Sequence, residues 1–267
     1  MQSLLKRNSV ARLDQAIVRK PARSFSEGLT TAKLGAPEYE QVLSQHQAYC
    51  ESLERCGLAL TYLESDSRYP DSTFIEDTAV VVGESAVLTR PGAVSRAGEV
   101  ATVAETLKQF FSKVESIQAP GFLDGGDICE AGNHYFIGIS ERTNEAGARQ
   151  LGELLTAGGR THSFIDIRDV DDLLHLKSGV AYLDDNRLVV INELASLKEF
   201  SDYQLVSVSN GEEYAANCVR INDKVLIAEG YPRFAETLTS LGYQTIALDM
   251  SEFQKMDGGL SCLSLRF

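Results

Sequence analysis

Asp257-Gly258-Gly259-Leu260-Ser261-Cys262-Leu263-Ser264-Leu265-Arg266-Phe267 is the stretch whose reading decides the fold. Leu260 to Arg266 alternates as a short strand and is entered through two glycines. Its natural partner lies at the other end of the chain, where Gln15 to Arg19 also reads as a strand. Pairing these two would complete a unit split across the termini, a device that removes exposed sheet edges. The stretch also carries Cys262 near its start. A thiolate is a strong nucleophile, and glycines let a backbone approach a ligand closely. Taken alone, Cys262 reads as a buried cysteine packing as a small hydrophobe, the commoner state of a free thiol.

Working outward, one order of elements recurs. Thr78 to Thr89 reads as two strands about a polar turn, followed by a helical pattern with Ser95 as N-cap. Val100, Val103, Leu107, Phe110, Phe111 and Val114 keep helical spacing, and Ser116 to Gln118 is a strand. Asp127 to Ile139 is a second hairpin, followed by a helix near Asn144 to Ala157 and a strand from Thr161 to Ile165. Gly179 to Ile191 is a third hairpin, with a shorter helix near Glu193 to Phe200 and a strand from Gln204 to Val208. Ala216 to Ala228 is a fourth hairpin; a helix runs from Pro232 to Gly242 and a strand from Gln244 to Leu248. The split unit takes its helix from Pro37 to Cys56 and its last strand from Leu58 to Leu63. Hairpin, helix, strand, repeated at roughly 40–50-residue spacing, is a repeat architecture. The expectation is an α/β fold: a closed ring of five ββαβ units around a central axis.

Composition narrows the function. The 267 residues are 43% hydrophobic, enough for one large core or two small ones. A formal net charge of −13 makes nucleic acid or an anionic membrane surface a poor partner and favours a small cationic substrate. The five cysteines form no CxxC pair, so neither a disulfide framework nor a cysteine zinc site is indicated. No apolar run approaches the ~20 residues of a membrane span. The stretch MQSLLKRNSVARLDQ lacks the apolar region of a signal peptide. A soluble cytoplasmic protein with reduced thiols is expected.

The chemistry-capable residues fall at equivalent places in the repeats. Glu76-Asp77 precedes the first internal hairpin and Asp124-Gly125-Gly126-Asp127 opens the second. His175-Leu176-Lys177 stands before the third, Ala216-Asn217 opens the fourth, and Gly259 to Cys262 opens the split one. In a closed ring such positions line one mouth of the axis. Cys262 would be the nucleophile, a thiol that needs a cationic neighbour or substrate to ionise at neutral pH. His175 would shuttle protons, oriented by Asp124. Glu76 and Asp77 make a paired acidic patch suited to a planar guanidinium. Arg96 and Arg142 follow their hairpins at similar offsets and suit a substrate carboxylate. The plainer readings are solvated helix-start residues for the arginines and turn chemistry for Asp124, Asp127 and Asp71. His46, Cys50 and Cys56 share a helical stripe with Val42, Tyr49 and Leu53 and read as packing residues.

Seven motifs in order then resemble one family: Phe74-Ile75-Glu76-Asp77-Thr78-Ala79-Val80-Val81, Thr89-Arg90-Pro91-Gly92, Leu123-Asp124-Gly125-Gly126-Asp127, Ser140-Glu141-Arg142-Thr143-Asn144, Leu174-His175-Leu176-Lys177-Ser178, Ala216-Asn217-Cys218 and Asp257 to Cys262. They resemble the dimethylarginine dimethylaminohydrolases of the pentein, or amidinotransferase-like, superfamily, from about Ala16 onward. The resemblance implies a five-bladed β/α propeller forming one catalytic domain over residues 1–267. It implies a covalent thiouronium on Cys262, His175 as general acid and base, and Asp124 orienting it. It implies that Asp71, Glu76 and Asp77 hold the guanidino group and nearby polar atoms, and that Arg96 and Arg142 hold the amino-acid carboxylate. Leu29 matches a residue on a mobile loop over the substrate. The reaction implied is hydrolysis of methylated arginine to citrulline and an amine, with no cofactor and no catalytic metal. A homodimer is compatible with this reading.

One departure bears on specificity. Mammalian members carry a second cysteine beside the nucleophile and a leucine where this chain has Gly259. Two alternatives remain open: an arginine deiminase or other guanidine-modifying hydrolase of the same superfamily, and a non-catalytic binding protein on the same ring.

Overall fold

The structure is a computed structural model and describes residues 12–267; Met1 to Ala11, part of the stretch read for a signal peptide, lie outside them. Its strands form five three-stranded sheets with one internal plan: the middle strand runs antiparallel to the first and parallel to the third. Ala79–Val82, Ser85–Leu88 and Lys113–Ser116 make one sheet. Ile128–Ala131, His134–Ile139 and Thr161–Asp166 make the next. Val180–Asp184, Arg187–Val190 and Gln204–Ser207 follow, then Val219–Ile221, Lys224–Ala228 and Gln244–Leu248. The fifth sheet joins the chain ends: Ser264–Arg266 pairs antiparallel with Gln15–Arg19, which pairs parallel with Ala59–Leu63. Among the described residues the strand ladders stop at each sheet's edge, with only an isolated bridge between Arg90 and Leu123 linking two units, so the strands build five separate sheets rather than one closed one.

Local chemistry accounts for the elements. The helix Glu145–Ala157 starts at Asn144, whose side chain accepts the Gly147 N–H, satisfying an orphan donor of the first turn. The hairpin at Asp185-Asn186 puts both residues at positive φ, which Asp and Asn tolerate best after glycine. The helix Tyr39–Arg55 buries Val42, His46, Tyr49, Cys50 and Leu53, and Cys56 follows at its C-cap, so the cysteine and histidine stripe is packing, as its spacing suggested.

Three elements differ from expectation. The helix expected after Ser95 is a tight 3-10 segment, Val94–Glu99, running into the helix Val100–Leu107, and the strand falls at Lys113–Ser116. No α-helix forms over Glu193 to Phe200, where two 3-10 turns flank an extended Leu197. The strand expected from Leu260 begins only at Ser264, and Ser261–Leu263 forms a 3-10 turn, so Cys262 sits on a turn rather than in a ladder.

Apolar residues cover the inner face of each helix and the sheet beneath it; Leu151 and Leu155 meet Ile137 and Val87, and Phe234 and Leu238 meet Val225. Between the sheets lies a cavity of about 210 Å³ lined by Val80, Ile128, Val180, Val219 and Leu265, one residue from the first strand of each sheet. Asp77, Asp124, His175 and Cys262 do not line it, whereas Glu76, Lys177 and Ser261 do. The chemistry-bearing cluster therefore sits beyond one end of this cavity.

Candidate active site

The turn Gly125–Asp127 and the turn Ile75–Thr78 press together so closely that a Cβ on Gly125 would stand 2.1 Å from the Glu76 carbonyl oxygen. Only glycine permits that approach, and it brings two acidic segments into one place. The Gly126 N–H donates to Asp77 Oδ1 at 2.9 Å. A Cβ on Gly126 would lie 2.8 Å from that oxygen and 2.9 Å from the His175 ring. His175 is held from its other side by the helix Leu176–Gly179, whose first N–H donates to Asp127 Oδ1 at 2.9 Å. The other Asp127 oxygen accepts hydroxyl bonds from Ser140 at 2.7 Å and Thr143 at 2.6 Å. Asp127 is thus the anchor of the histidine segment, beyond the turn role read from sequence.

His175 Nε2 lies 3.1 Å from Asp124 Oδ2 and 3.9 Å from Asp77 Oδ1. Asp124 is fully buried, and its other oxygen accepts the Gly92 N–H at 2.9 Å. Burial alone would push the imidazole down; the carboxylates of Asp77, Asp124 and Asp127 outweigh it and hold His175 up at about 9. The ring is therefore an imidazolium at neutral pH. Asp77 pays the reverse effect: burial raises it, but His175 and Arg96 hold it down at about 2.

Cys262 is 9% exposed. Burial, then the charges of Glu76 and Asp77, push its thiol up to about 12, with Lys177 pulling the other way. Asp77 thus acts on the imidazole and on the thiol, and joins the two ends of the site. The turn Ser261–Leu263 that carries Cys262 is built by neighbours that sequence reading gave no role. Asn217 Oδ1 accepts the Ser261 N–H at 2.9 Å, and Asn217 Nδ2 donates to the Lys177 carbonyl at 3.1 Å. Ser261 Oγ donates to Glu76 Oε2 at 2.8 Å.

Glu76, expected to hold a guanidino group, has partners within the chain. Its Oε1 already takes Lys177 Nζ at 2.5 Å and Arg266 Nη2 at 2.9 Å. Glu76, Lys177, Ser261 and Arg266 all line the interior cavity, and Glu76 ties the turn carrying Cys262 to the terminal strand. Arg96 is also paired within the chain. It is buried, not a solvated helix-start residue, and its fork is filled by the chain itself: Nη1 meets Asp77 Oδ2 at 2.5 Å, while Nε and Nη2 reach the Glu99 carboxylate at 2.8–3.2 Å. A ligand carboxylate would have to displace one of these. Arg142 is half-buried, makes no ion pair among the described residues, and lowers the pKa of Asp71 by its charge. Asp71 is buried, and burial raises its carboxyl; both its oxygens take the Leu29 N–H, at 3.0 and 3.2 Å. Leu29 is 42% exposed on a loop whose Thr31 N–H donates to Asp257 Oδ2 at 2.5 Å.

One atom each of Asp77, Asp124 and His175 lie within 4.8 Å of one another, the spacing of a cation site. The electrostatics argue for a different use: the imidazole carries a proton at neutral pH and Arg96 already balances Asp77. The cluster is an imidazolium held between two buried carboxylates.

The fold and this constellation place the chain in a class, and comparison agrees: a family model described as arginine deiminase matches residues 70–215. Within that class the chain is 45% identical over 252 residues to the N(G),N(G)-dimethylarginine dimethylaminohydrolase of Pseudomonas aeruginosa, covering 94% of this chain and 98% of that one. It is 34% identical to the enzyme of the same name from Streptomyces coelicolor, over 94% and 96% of the two chains. A solved structure of a Cys-to-Ser mutant of the Pseudomonas aeruginosa protein, complexed with citrulline, superposes with a TM-score of 0.93 at 43% identity, over 96% of this chain and all of that one. The chain belongs to the dimethylarginine dimethylaminohydrolase family.

Proposed function

We propose that this chain hydrolyses N-omega-methylated arginines, asymmetric dimethylarginine and monomethylarginine, to citrulline and dimethylamine or methylamine. The observation that carries this reading is the single carboxylate, Asp77, acting at once on the His175 imidazolium and the Cys262 thiol, in a chain so similar to the Pseudomonas aeruginosa enzyme. That relative's citrulline complex supports the product class.

The charges order the steps. The resting thiol is protonated, and an arriving guanidinium supplies the positive charge that favours thiolate. As the guanidinium binds, the thiol gives up its proton to solvent water; the thiolate sulfur attacks the guanidinium carbon, and a tetrahedral adduct forms. His175, already protonated, gives its proton to the amine nitrogen, the carbon–nitrogen bond breaks and dimethylamine leaves. A thiouronium remains on Cys262. Neutral His175 then takes a proton from water, the hydroxide adds to the same carbon, and the carbon–sulfur bond breaks as the hydroxyl proton passes to the sulfur, which releases citrulline and restores the thiol. Asp124 holds the ring, Asp77 faces the guanidino group, Asp71 and Leu29 the substrate's polar end, and Arg142 suits its carboxylate. Arg96 reaches that carboxylate only by leaving Glu99 or Asp77.

We further propose a single domain whose five sheets stand as blades about one axis. The cavity shared by all five first strands and the pairing of the chain ends support this. Five free cysteines fit a reducing cytoplasm, and no helix among the described residues is long and apolar enough to cross a membrane.

The test is steady-state turnover of asymmetric dimethylarginine against arginine, with intact-mass detection of the adduct on quenched enzyme. Dimethylarginine should be favoured and the adduct should map to Cys262. Faster turnover of arginine would move the assignment to a deiminase. Normal turnover by Cys262→Ser would overturn the covalent scheme.

A further inference from the structure

Glu99 is 2% exposed and lies outside the set of residues that face the substrate in the reading above. Its carboxylate accepts from Arg96 Nε at 3.1 Å and from Arg96 Nη2 at 2.8 Å, a two-point grip on one edge of the guanidinium. Nη2 also donates to the Phe74 carbonyl oxygen at 3.0 Å. With that edge fixed, Nη1 on the opposite edge is aimed at Asp77 Oδ2, 2.5 Å away. Asp77 in turn keeps Oδ1 on the Gly126 N–H and toward His175.

We propose that Glu99 is a positioning residue for the reaction: it clamps one edge of Arg96 so that the other edge sets the rotation of Asp77 at the reacting end of the site. This rests on the reading that Asp77 faces the guanidino group. The physical argument is geometric. A guanidinium offers its donors in a rigid fork, so fixing one edge fixes the direction of the other. Without Glu99, Arg96 would be free to turn both nitrogens onto Asp77 and draw it from Gly126 and His175. The alternative, that Glu99 only offsets a buried charge, predicts lost stability with unchanged chemistry. Burial, opposed by Arg96, holds the Glu99 carboxyl up at about 7, and Asp71 and Asp77 add to the rise; Arg19 faces Glu99 from the neighbouring strand. The position is therefore one where charge is costly and is retained only by its partner.

The experiment compares wild type with Glu99→Ala, Glu99→Gln and Glu99→Asp on asymmetric dimethylarginine and on a dimethylated alkylguanidine lacking the amino-acid head. Positioning at the reacting end predicts that kcat falls roughly tenfold or more in Glu99→Ala on both substrates, with partial recovery in Glu99→Asp. A kcat within about twofold of wild type, whatever happens to KM or Tm, overturns the proposal. So does a loss confined to the substrate that carries a carboxylate. A wild-type chain that releases no citrulline would sink the reaction assigned above, not this inference. In that case the His175 ring titration by NMR decides, since it needs no substrate. Arg96 turning undivided onto Asp77 should lower its midpoint from about 9, in a field otherwise set by Asp77, Asp124 and Asp127. An unmoved midpoint in Glu99→Ala would refute the clamp.

Discussion

His175 Nε2 and Asp124 Oδ2 stand 3.1 Å apart in a fully buried setting, 51 residues distant in sequence. The hydrogen bond orients the ring and helps keep it protonated, and both effects serve an acid that must release an amine. Asp124→Asn should keep the shape of the contact but remove its charge. General acid–base groups contribute about 10²–10⁴-fold in rate, and kcat for citrulline formation should fall on that scale. Unaltered kcat in Asp124→Asn would remove Asp124 from the mechanism.

The pH profile follows from the same charges. The free thiol, pushed up to about 12, stays protonated through the neutral range, so kcat/KM should climb as pH rises from 6 toward 9. In the complex the acid is His175, held at about 9, and kcat should lose its alkaline limb near that pH. Asp124→Asn should move that limb downward. A kcat profile flat through pH 10 would exclude His175 as the proton donor.

How much of this was legible in the sequence depends on what set each residue's role. Cys262, His175, Asp124 and the pair Glu76-Asp77 stood at equivalent points of a repeat, and repeat position survives in one dimension. Asn217, Lys177, Arg266 and Glu99 were visible as residues but not as parts. Their roles come from contacts such as Arg266 with Glu76, 190 positions apart, which no local pattern encodes. The internal partners of Glu76 and Arg96 were equally out of view, although Glu99 lies only three residues beyond Arg96. The failed helix after Glu193 has a local cause. Leu194 and Phe200 are the buried residues of the run but stand six positions apart, about 120° round a helix, so one helix face could not bury both, and two 3-10 turns bury them instead. The 3-10 turn at Ser261 is tertiary: Asn217 takes the N–H that a ladder would have used.

His175 should also leave a mark on stability. Its folded-state pKa is raised from the ordinary 6.5 to about 9, so its contribution is fully present below 6.5 and is lost as pH rises through 9. The shift caps that contribution at about 3 kcal/mol. Denaturant unfolding of wild type and His175→Gln at pH 6 and pH 9.5 isolates it from the ionisation of Cys262. The gap between the two proteins should shrink at the higher pH; a constant gap would contradict a protonated imidazole.

Glu76 joins three segments: Lys177 before one sheet, Arg266 in the terminal strand and Ser261 beside the nucleophile. Glu76→Ala takes the anionic partner from two half-buried cations, Lys177 and Arg266. Breaking a buried ion pair costs about 3–5 kcal/mol, and partial exposure of both cations puts this site at the low end. Unfolding should shift by roughly that amount, read as a lower midpoint in urea at unchanged slope. Glu76→Gln, which can still accept from Ser261, should lose less. Equal stability of all three proteins would show that the cluster holds nothing together.

Gly259 tests whether the backbone of the nucleophile's turn sets catalysis. A Cβ built there would lie 2.6 Å from both Cγ and Oδ1 of Asn217, the side chain that accepts the Ser261 N–H and donates to the Lys177 carbonyl. Gly259 is not at positive φ, so Gly259→Ala brings no backbone strain and acts through that contact alone. Asn217 must turn away, the Ser261 N–H loses its acceptor, and the residue next to it is Cys262. Misplacing a reacting group by about 1 Å can cost on the order of 10²-fold in rate, so kcat should fall well beyond any change in Tm. Asn217→Ala removes the same acceptor without the added methyl and should show a loss of similar size. If Gly259→Ala turns over normally while Asn217→Ala does not, the turn tolerates the methyl by a route other than moving Asn217. If both turn over normally, Cys262 is placed without help from this contact.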